Sequence, residues 1–251
     1  MAEGDDAIEE RGSKVREVVK RILVVEDEVN ILLGLTENLK YVGYEVLSAS
    51  DGPGGLSVAI QEHPDAILLD IMLPGMSGFE VCRQLRAKGL LMPVIMLTAR
   101  SDEFDKLHGF EMGADDYVTK PFSVDELLAR LKAVLLRGER RIEGPRTLTF
   151  AEIEMDLDAR TMTRAGKPVF MTRTEFDLLA YFVQNDGKAL SREMVMHDVW
   201  GMDYYGTQRS LDSFVANLRK KIEKDARTPV HITTVHGVGY KFQSEAGDQA
   251  K

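Results

Sequence analysis

The chain has 251 residues, 44% of them apolar and 29% charged, a length that suits two domains, each large enough to bury a core. No apolar run reaches the length of a membrane span, and Met1 to Lys20 lacks the apolar stretch of a secretion signal, so the expectation is a cytoplasmic protein with no membrane partner. One cysteine, Cys82, excludes an internal disulfide and a cysteine-cluster metal site. The net charge of −9 comes from one half: residues 1–140 carry 25 acidic and 16 basic side chains, residues 141–251 carry 16 of each. A local basic excess over residues 207–227 therefore leaves nucleic acid open as a partner.

In chain order, residues 1–20 read as a tail and residues 21–137 as a first domain. Strands are predicted over 21–25, 45–49, 66–70, 93–98 and 116–119, and helices over 30–42, 54–61, 78–88, 104–112 and 124–136. Strict strand and helix alternation predicts an α/β fold with a parallel five-stranded sheet covered on both faces. Connections of that hand gather every strand's carboxyl end on one edge, where α/β proteins place their chemistry.

That edge collects Glu26 and Asp27 after the first strand, Asp70 after the third, Thr98 on the fourth and Lys120 after the fifth. Asp70 alone is equally readable as the cap of the next helix. As a set, carboxylates with one lysine and one hydroxyl suit phosphoryl chemistry. The acids offer oxygen ligands to a hard cation such as Mg²⁺, Asp70 offers a carboxylate nucleophile, and Thr98 and Lys120 offer partners for phosphoryl oxygens.

Val24-Val25-Glu26-Asp27-Glu28, Asp70 with Leu73-Pro74-Gly75-Met76-Ser77-Gly78, Thr98-Ala99-Arg100, Gly113-Ala114-Asp115-Asp116-Tyr117 and Lys120-Pro121-Phe122 occur in the order in which the receiver domain of bacterial two-component response regulators has them. The resemblance implies a flavodoxin-like, doubly wound fold with strand order 2-1-3-4-5. It implies Mg²⁺ on Glu26, Asp27, Asp70 and the Met72 carbonyl, phospho-acceptance at Asp70, phosphate sensing by Thr98 and Lys120, an aromatic switch at Tyr117, and a cis Lys120–Pro121 peptide. It also implies a homodimer formed on phosphorylation, through a mixed-charge face that includes Lys106, Asp115, Asp116, Glu126 and Arg130.

Residues 138–145 read as a short charged linker, and residues 146–244 as a second domain followed by a tail over 245–251. Short strand runs at 148–150, 153–157, 161–164 and 169–170 predict a small antiparallel sheet. Thr172 with Glu175 makes a capping box, Ser191 starts a second helix, Gly201–Gly206 is a loop, a third helix covers roughly 208–223, and 232–242 is a terminal hairpin. That order is a winged helix-turn-helix. On the third helix, Leu211, Val215, Leu218 and Ile222 form an apolar stripe, Arg209, Ser213, Ala216 and Lys220 point away from it, and Asn217 and Arg219 lie on the flanks, as a helix in a major groove requires.

Phe170-Met171-Thr172-Arg173-Thr174-Glu175-Phe176, Arg209-Ser210-Leu211-Asp212, Asn217-Leu218-Arg219-Lys220-Lys221 and Gly237-Val238-Gly239-Tyr240 resemble the effector domain of the OmpR/PhoB-type regulators. The resemblance implies DNA contacts by Arg209, Ser210, Ser213, Asn217, Arg219 and Lys220, with Ser213 and Asn217 on bases and Arg219 on phosphate. It implies that the Gly201–Gly206 loop meets RNA polymerase. Family members commonly have arginine where the wing here has His236, so this contact departs from the pattern. The expected protein is a transcriptional regulator phosphorylated by a sensor histidine kinase, binding promoter DNA as a dimer, and not a turnover enzyme. Two rivals are an aspartyl-phosphate phosphohydrolase of the haloacid-dehalogenase kind, whose second acid would fall at Met72, and a regulator that binds DNA independently of phosphate.

Overall fold

The computed structural model describes residues 19–99, 113–137, 146–201 and 208–245; the helix predicted over 104–112, the linker and most of the 201–206 loop lie outside them. The first domain runs β1 (Arg21–Val25), α1 (Val29–Tyr41), β2 (Glu45–Ala49), α2 (Gly52–Glu62), β3 (Ala66–Asp70), α3 (Gly78–Ala87), β4 (Val94–Ala99), β5 (Asp116–Lys120) and α4 (Val124–Arg137). The sheet order is β2-β1-β3-β4-β5, every pairing parallel, which is the predicted flavodoxin-like topology.

Period-two alternation divides the strand residues between two cores. Leu23, Val25, Ile67, Leu69 and Met96 pack with Ala59, Val81, Cys82 and Leu85 of α2 and α3. Ile22, Val24, Leu68, Ile95 and Leu97 pack with Leu35 and Leu39 of α1 and Leu127 and Leu131 of α4. All five residues of β3 are buried, and each large aliphatic side chain buried there contributes about 1.5–3 kcal/mol. The central strand is thus enclosed on both faces, and Asp70 is its last residue.

In the second domain β6 (Thr147–Phe150), β7 (Ile153–Asp156), β8 (Thr161–Arg164) and β9 (Lys167–Val169) form an antiparallel sheet in sequence order. Then come α5 (Arg173–Gln184), β10 (Ala189–Ser191), α6 (Arg192–Trp200), α7 (Gln208–Ile222), β11 (Ile232–Val235) and β12 (Gly239–Phe242). The capping box forms: Thr172 Oγ1 accepts from the Glu175 N–H at 3.3 Å, and Glu175 Oε2 accepts from the Thr172 N–H at 2.8 Å. The terminal hairpin is wider than the sequence implies, because β10 adds to its edge in the order β10-β12-β11. A methyl group at Gly239 would overlap the Leu190 carbonyl oxygen, so this close pairing requires glycine. Between the domains, α4 packs against both α5 and α6.

Candidate phosphoacceptor site and nucleic-acid interface

Asp70 is aimed by the loop that follows it. Gly78 donates its N–H to the Ile71 carbonyl at 2.9 Å, and the Ser77 hydroxyl caps α3 by accepting from the Glu80 N–H at 3.3 Å. The loop folds so tightly onto the strand end that a methyl at Gly78 would overlap the Asp70 carbonyl oxygen. Asp70 Oδ1 accepts from the Met72 N–H at 3.1 Å and Oδ2 from Lys120 Nζ at 2.7 Å.

Lys120 also reaches Glu26 Oε1 at 2.9 Å, and Glu28 lies 3.9 Å from the ammonium. Glu26, Asp27 and Asp70 each place a carboxylate oxygen within 4.8 Å of the others. Burial raises the Glu26 pKa, partly offset by the Lys120 hydrogen bond, and the Asp70 charge raises it further. Burial acts to lower the Lys120 pKa, but its bonds to Asp70 and Glu26 outweigh that and the net shift is upward. One ammonium facing three or four carboxylates leaves a negative surplus. The second Glu26 oxygen, Oε2, is also buried, 2.8 Å from the same ammonium. An all-oxygen donor set of three carboxylates with surplus negative charge fits a hard divalent cation.

Thr98, at the carboxyl end of β4, is buried and pairs in register with Thr119. Tyr117 is buried on β5 beside Met96, its ring turned into the core rather than to solvent. The Lys120–Pro121 peptide is cis.

Of the charged residues expected on a dimer face, Asp116, Glu126 and Arg130 stay together. Arg130 Nη1 reaches both oxygens of Asp116 at 3.3 Å and its Nε and Nη2 reach Glu126 Oε1 at 3.1 and 2.8 Å, all within one chain. Asp115 turns to a different partner set, Arg86 Nη2 and the Val94 N–H, both at 3.0 Å. Lys106 lies outside the described residues. Sequence reasoning missed Arg86, although an arginine on the stripe of Val81, Cys82 and Leu85 was a readable signal of a buried cation.

On α7 the apolar stripe Leu211, Val215, Leu218 and Ile222 is buried, with Phe214 added to it. Ala216 and Lys220 are exposed. Ser213 and Asn217 differ from the expected open face, at 6% and 7% exposure. Asn217 borders a cavity with Arg83, Arg86 and Gly113 of the first domain, and helical periodicity within one domain carries no trace of such a neighbour.

Arg219, expected to project toward phosphate, ties the helix to the wing. Its Nε donates to the Ile232 carbonyl at 2.8 Å, its Nη2 to Thr234 Oγ1 at 3.0 Å, and its guanidinium lies 5.7 Å from the Tyr240 ring centroid. Glu223, which sequence reasoning also missed, accepts from the Val230, His231 and Ile232 N–H groups at 3.0, 2.9 and 2.9 Å and fixes the start of β11. His236 is exposed in the turn between β11 and β12. The side chains of Arg209 and Ser210 lie outside the described set.

A carboxylate at a central strand end, hydrogen-bonded to a lysine and flanked by two acids, defines a receiver, and a three-helix unit with a β-hairpin wing defines a DNA-binding effector domain. The comparisons agree. The profile of the Response regulator receiver domain matches residues 22–132, and that of the Transcriptional regulatory protein, C terminal, matches residues 166–242. The Sensory transduction protein RegX3 of Mycolicibacterium smegmatis is 44% identical over 225 residues, spanning 88% of this chain and 98% of the relative. The Alkaline phosphatase synthesis transcriptional regulatory protein PhoP of Bacillus subtilis is 41% identical over 232 residues, spanning 89% and 97%. A solved structure of a RitR mutant has a TM-score of 0.74 at 28% identity and covers 90% of this chain and all of that one. The chain belongs to the OmpR/PhoB family of two-component response regulators. It is a regulator with a receiver and a DNA-binding domain, not a turnover enzyme, and among the described residues no helix is long and apolar enough to cross a membrane.

Proposed function

We propose that Asp70 is phosphorylated by a cognate sensor histidine kinase, and that the phosphorylated chain dimerises and binds promoter DNA in the cytoplasm, with RNA polymerase as a further partner. The observation that carries this reading is the position of Asp70, the carboxylate that shares Lys120 with Glu26 at the acidic edge of the sheet. In the transfer, an Asp70 carboxylate oxygen bonds to phosphorus as the phosphorus–nitrogen bond to the kinase imidazole breaks, giving an acyl phosphate on the regulator and a neutral histidine on the kinase once a proton is taken up. Glu26, Asp27, Asp70 and the Met72 carbonyl would hold Mg²⁺, which supplies charge neutralisation for the incoming phosphoryl group. Lys120 already lies against the attacking carboxylate and can follow its charge onto a phosphoryl oxygen, while the Thr98 hydroxyl serves a second oxygen. Tyr117 is the aromatic switch on the same strand as Lys120.

In the DNA complex, Ser213 and Asn217 read bases from α7, Arg209, Ser210, Arg219 and Lys220 meet the backbone around it, and His236 extends the wing. Support comes from the exposed Lys220 in the last turn of α7 and the wing tied beside it through Arg219. The dimer would form around the partly exposed Glu126, held by the buried Arg130–Asp116 pair, with Lys106 and Asp115 as further members of the face. Phosphate-affinity electrophoresis of wild type and Asp70→Ala after acetyl phosphate and Mg²⁺ tests the first step. Wild type alone should shift; equal shifts in both proteins would end the assignment.

A further inference from the structure

Among the described residues, a buried polar contact joins the two domains. Thr174, in the first turn of α5, donates its hydroxyl to Asp115 Oδ1 at 2.9 Å, and both residues are 1% exposed. The receiver prepares the acceptor: Asp115 Oδ2 is held by Arg86 and the Val94 N–H, and Arg86 is fixed in turn by the carbonyls of Gly113, Leu90 and Met92 at 3.0, 2.8 and 3.0 Å. A carboxylate oxygen buried in this setting needs a donor, and in the closed arrangement the second domain brings one.

Beside this contact lies a cavity of about 350 Å³ with Arg83, Arg86 and Gly113 of the receiver on one side and Asn217, Lys220 and Lys221 of α7 on the other. Such a volume suits a small molecule, whereas a helix seated in a major groove needs a duplex along that flank. The strands that carry Thr98 and Lys120 at their carboxyl ends, β4 and β5, begin at Val94 and directly after Asp115. The same pair of strands therefore runs from the phosphoacceptor edge to the interdomain contact.

Building on the function proposed above, we propose that Asp115–Thr174 is a latch that holds the unphosphorylated chain closed and keeps the Asn217 flank of α7 off DNA. The closed state is held loosely, because Arg83, Lys220 and Lys221 bring like charges to one cavity even though Arg83 also pairs with Glu80 and Lys221 with Glu175. DNA binding by the closed chain is reduced by the fraction of molecules that are open.

The test uses the full chain and a fluorescein-labelled duplex of mixed sequence at low salt, before and after acetyl phosphate with Mg²⁺. Thr174→Val removes the donor while keeping the shape, and before phosphorylation it should bind roughly ten-fold more tightly than wild type, the effect expected from losing one hydrogen bond to a charged acceptor. Thr174→Ser, which keeps the hydroxyl, should behave as wild type. Arg83→Glu, an exposed change that faces the cavity lysines with the opposite charge, should weaken binding before phosphorylation. It keeps the test alive if the valine variant folds poorly by circular dichroism. If Thr174→Val and Arg83→Glu both match wild type before phosphorylation while wild type gains affinity after it, the latch is wrong and the proposed function stands. If no form binds DNA in either state, both fall.

Discussion

Replacing Arg86 by methionine should destabilise the receiver by about 3–5 kcal/mol, the usual cost of removing one partner from a buried ion pair. The structure supports the upper part of that range. Arg86 and Asp115 have side chains 6% and 1% exposed at 3.0 Å separation, and the same guanidinium serves three backbone carbonyls that would lose their donor. Protein of this size loses about 2–4 °C of Tm per kcal/mol, so circular dichroism melts should move down by roughly 10 °C. The decisive measurement is a double-mutant cycle in urea with Asp115→Asn. Each single change strands a buried polar partner, whereas the double variant strands less, so the combined loss should fall short of the sum by about 2 kcal/mol or more. Additivity to within about 0.5 kcal/mol, or a cost below about 1 kcal/mol for Arg86→Met, would show that the pair does not carry this corner of the domain.

Asn217→Ala should flatten preference at one base pair at a cost of about 1–3 kcal/mol there, leaving binding to scrambled DNA nearly intact. Arg219→Ala should weaken all sequences and lower the slope of log affinity against log salt by roughly one unit. Because Arg219 also bonds Ile232 and Thr234, it should in addition lower stability without DNA by about 1–3 kcal/mol. Salt titrations on operator and scrambled duplexes, with melts alongside, separate the two residues. Glu223→Ala should cost about 2–4 kcal/mol, because three backbone N–H groups at the start of β11 lose their acceptor; hydrogen exchange should rise first at Val230, His231 and Ile232. Light scattering of the phosphorylated chain at roughly tens of micromolar, the range for weak self-association, should report a dimer, and a monomer there would contradict the proposed activation.

The receiver was legible because its signals are local and repetitive. A run of four apolar residues ending on Asp70 and a β-branched run ending on Glu26 and Asp27 state both the strands and the edge they share. The Thr172 capping box and the α7 stripe are likewise patterns within a single turn or helix. What escaped were contacts between residues far apart in the chain. β10 is three residues long, too short to show a period, and exists because Gly239 lets β12 close on Leu190. The turn of Asp115 toward Thr174 joins residues 59 apart in two different domains, and the cavity that Asn217 borders likewise takes residues from both. Arg219 and Glu223 carry charge and so resemble a solvated helix end, yet the wing engages both.

Footprinting of genomic DNA by wild type and Asp70→Ala, each with and without acetyl phosphate and Mg²⁺, tests phosphorylation control most directly. Wild type should gain a defined set of protected sites with the phosphodonor, and Asp70→Ala should gain none. Identical footprints for both proteins in both conditions would contradict control through Asp70.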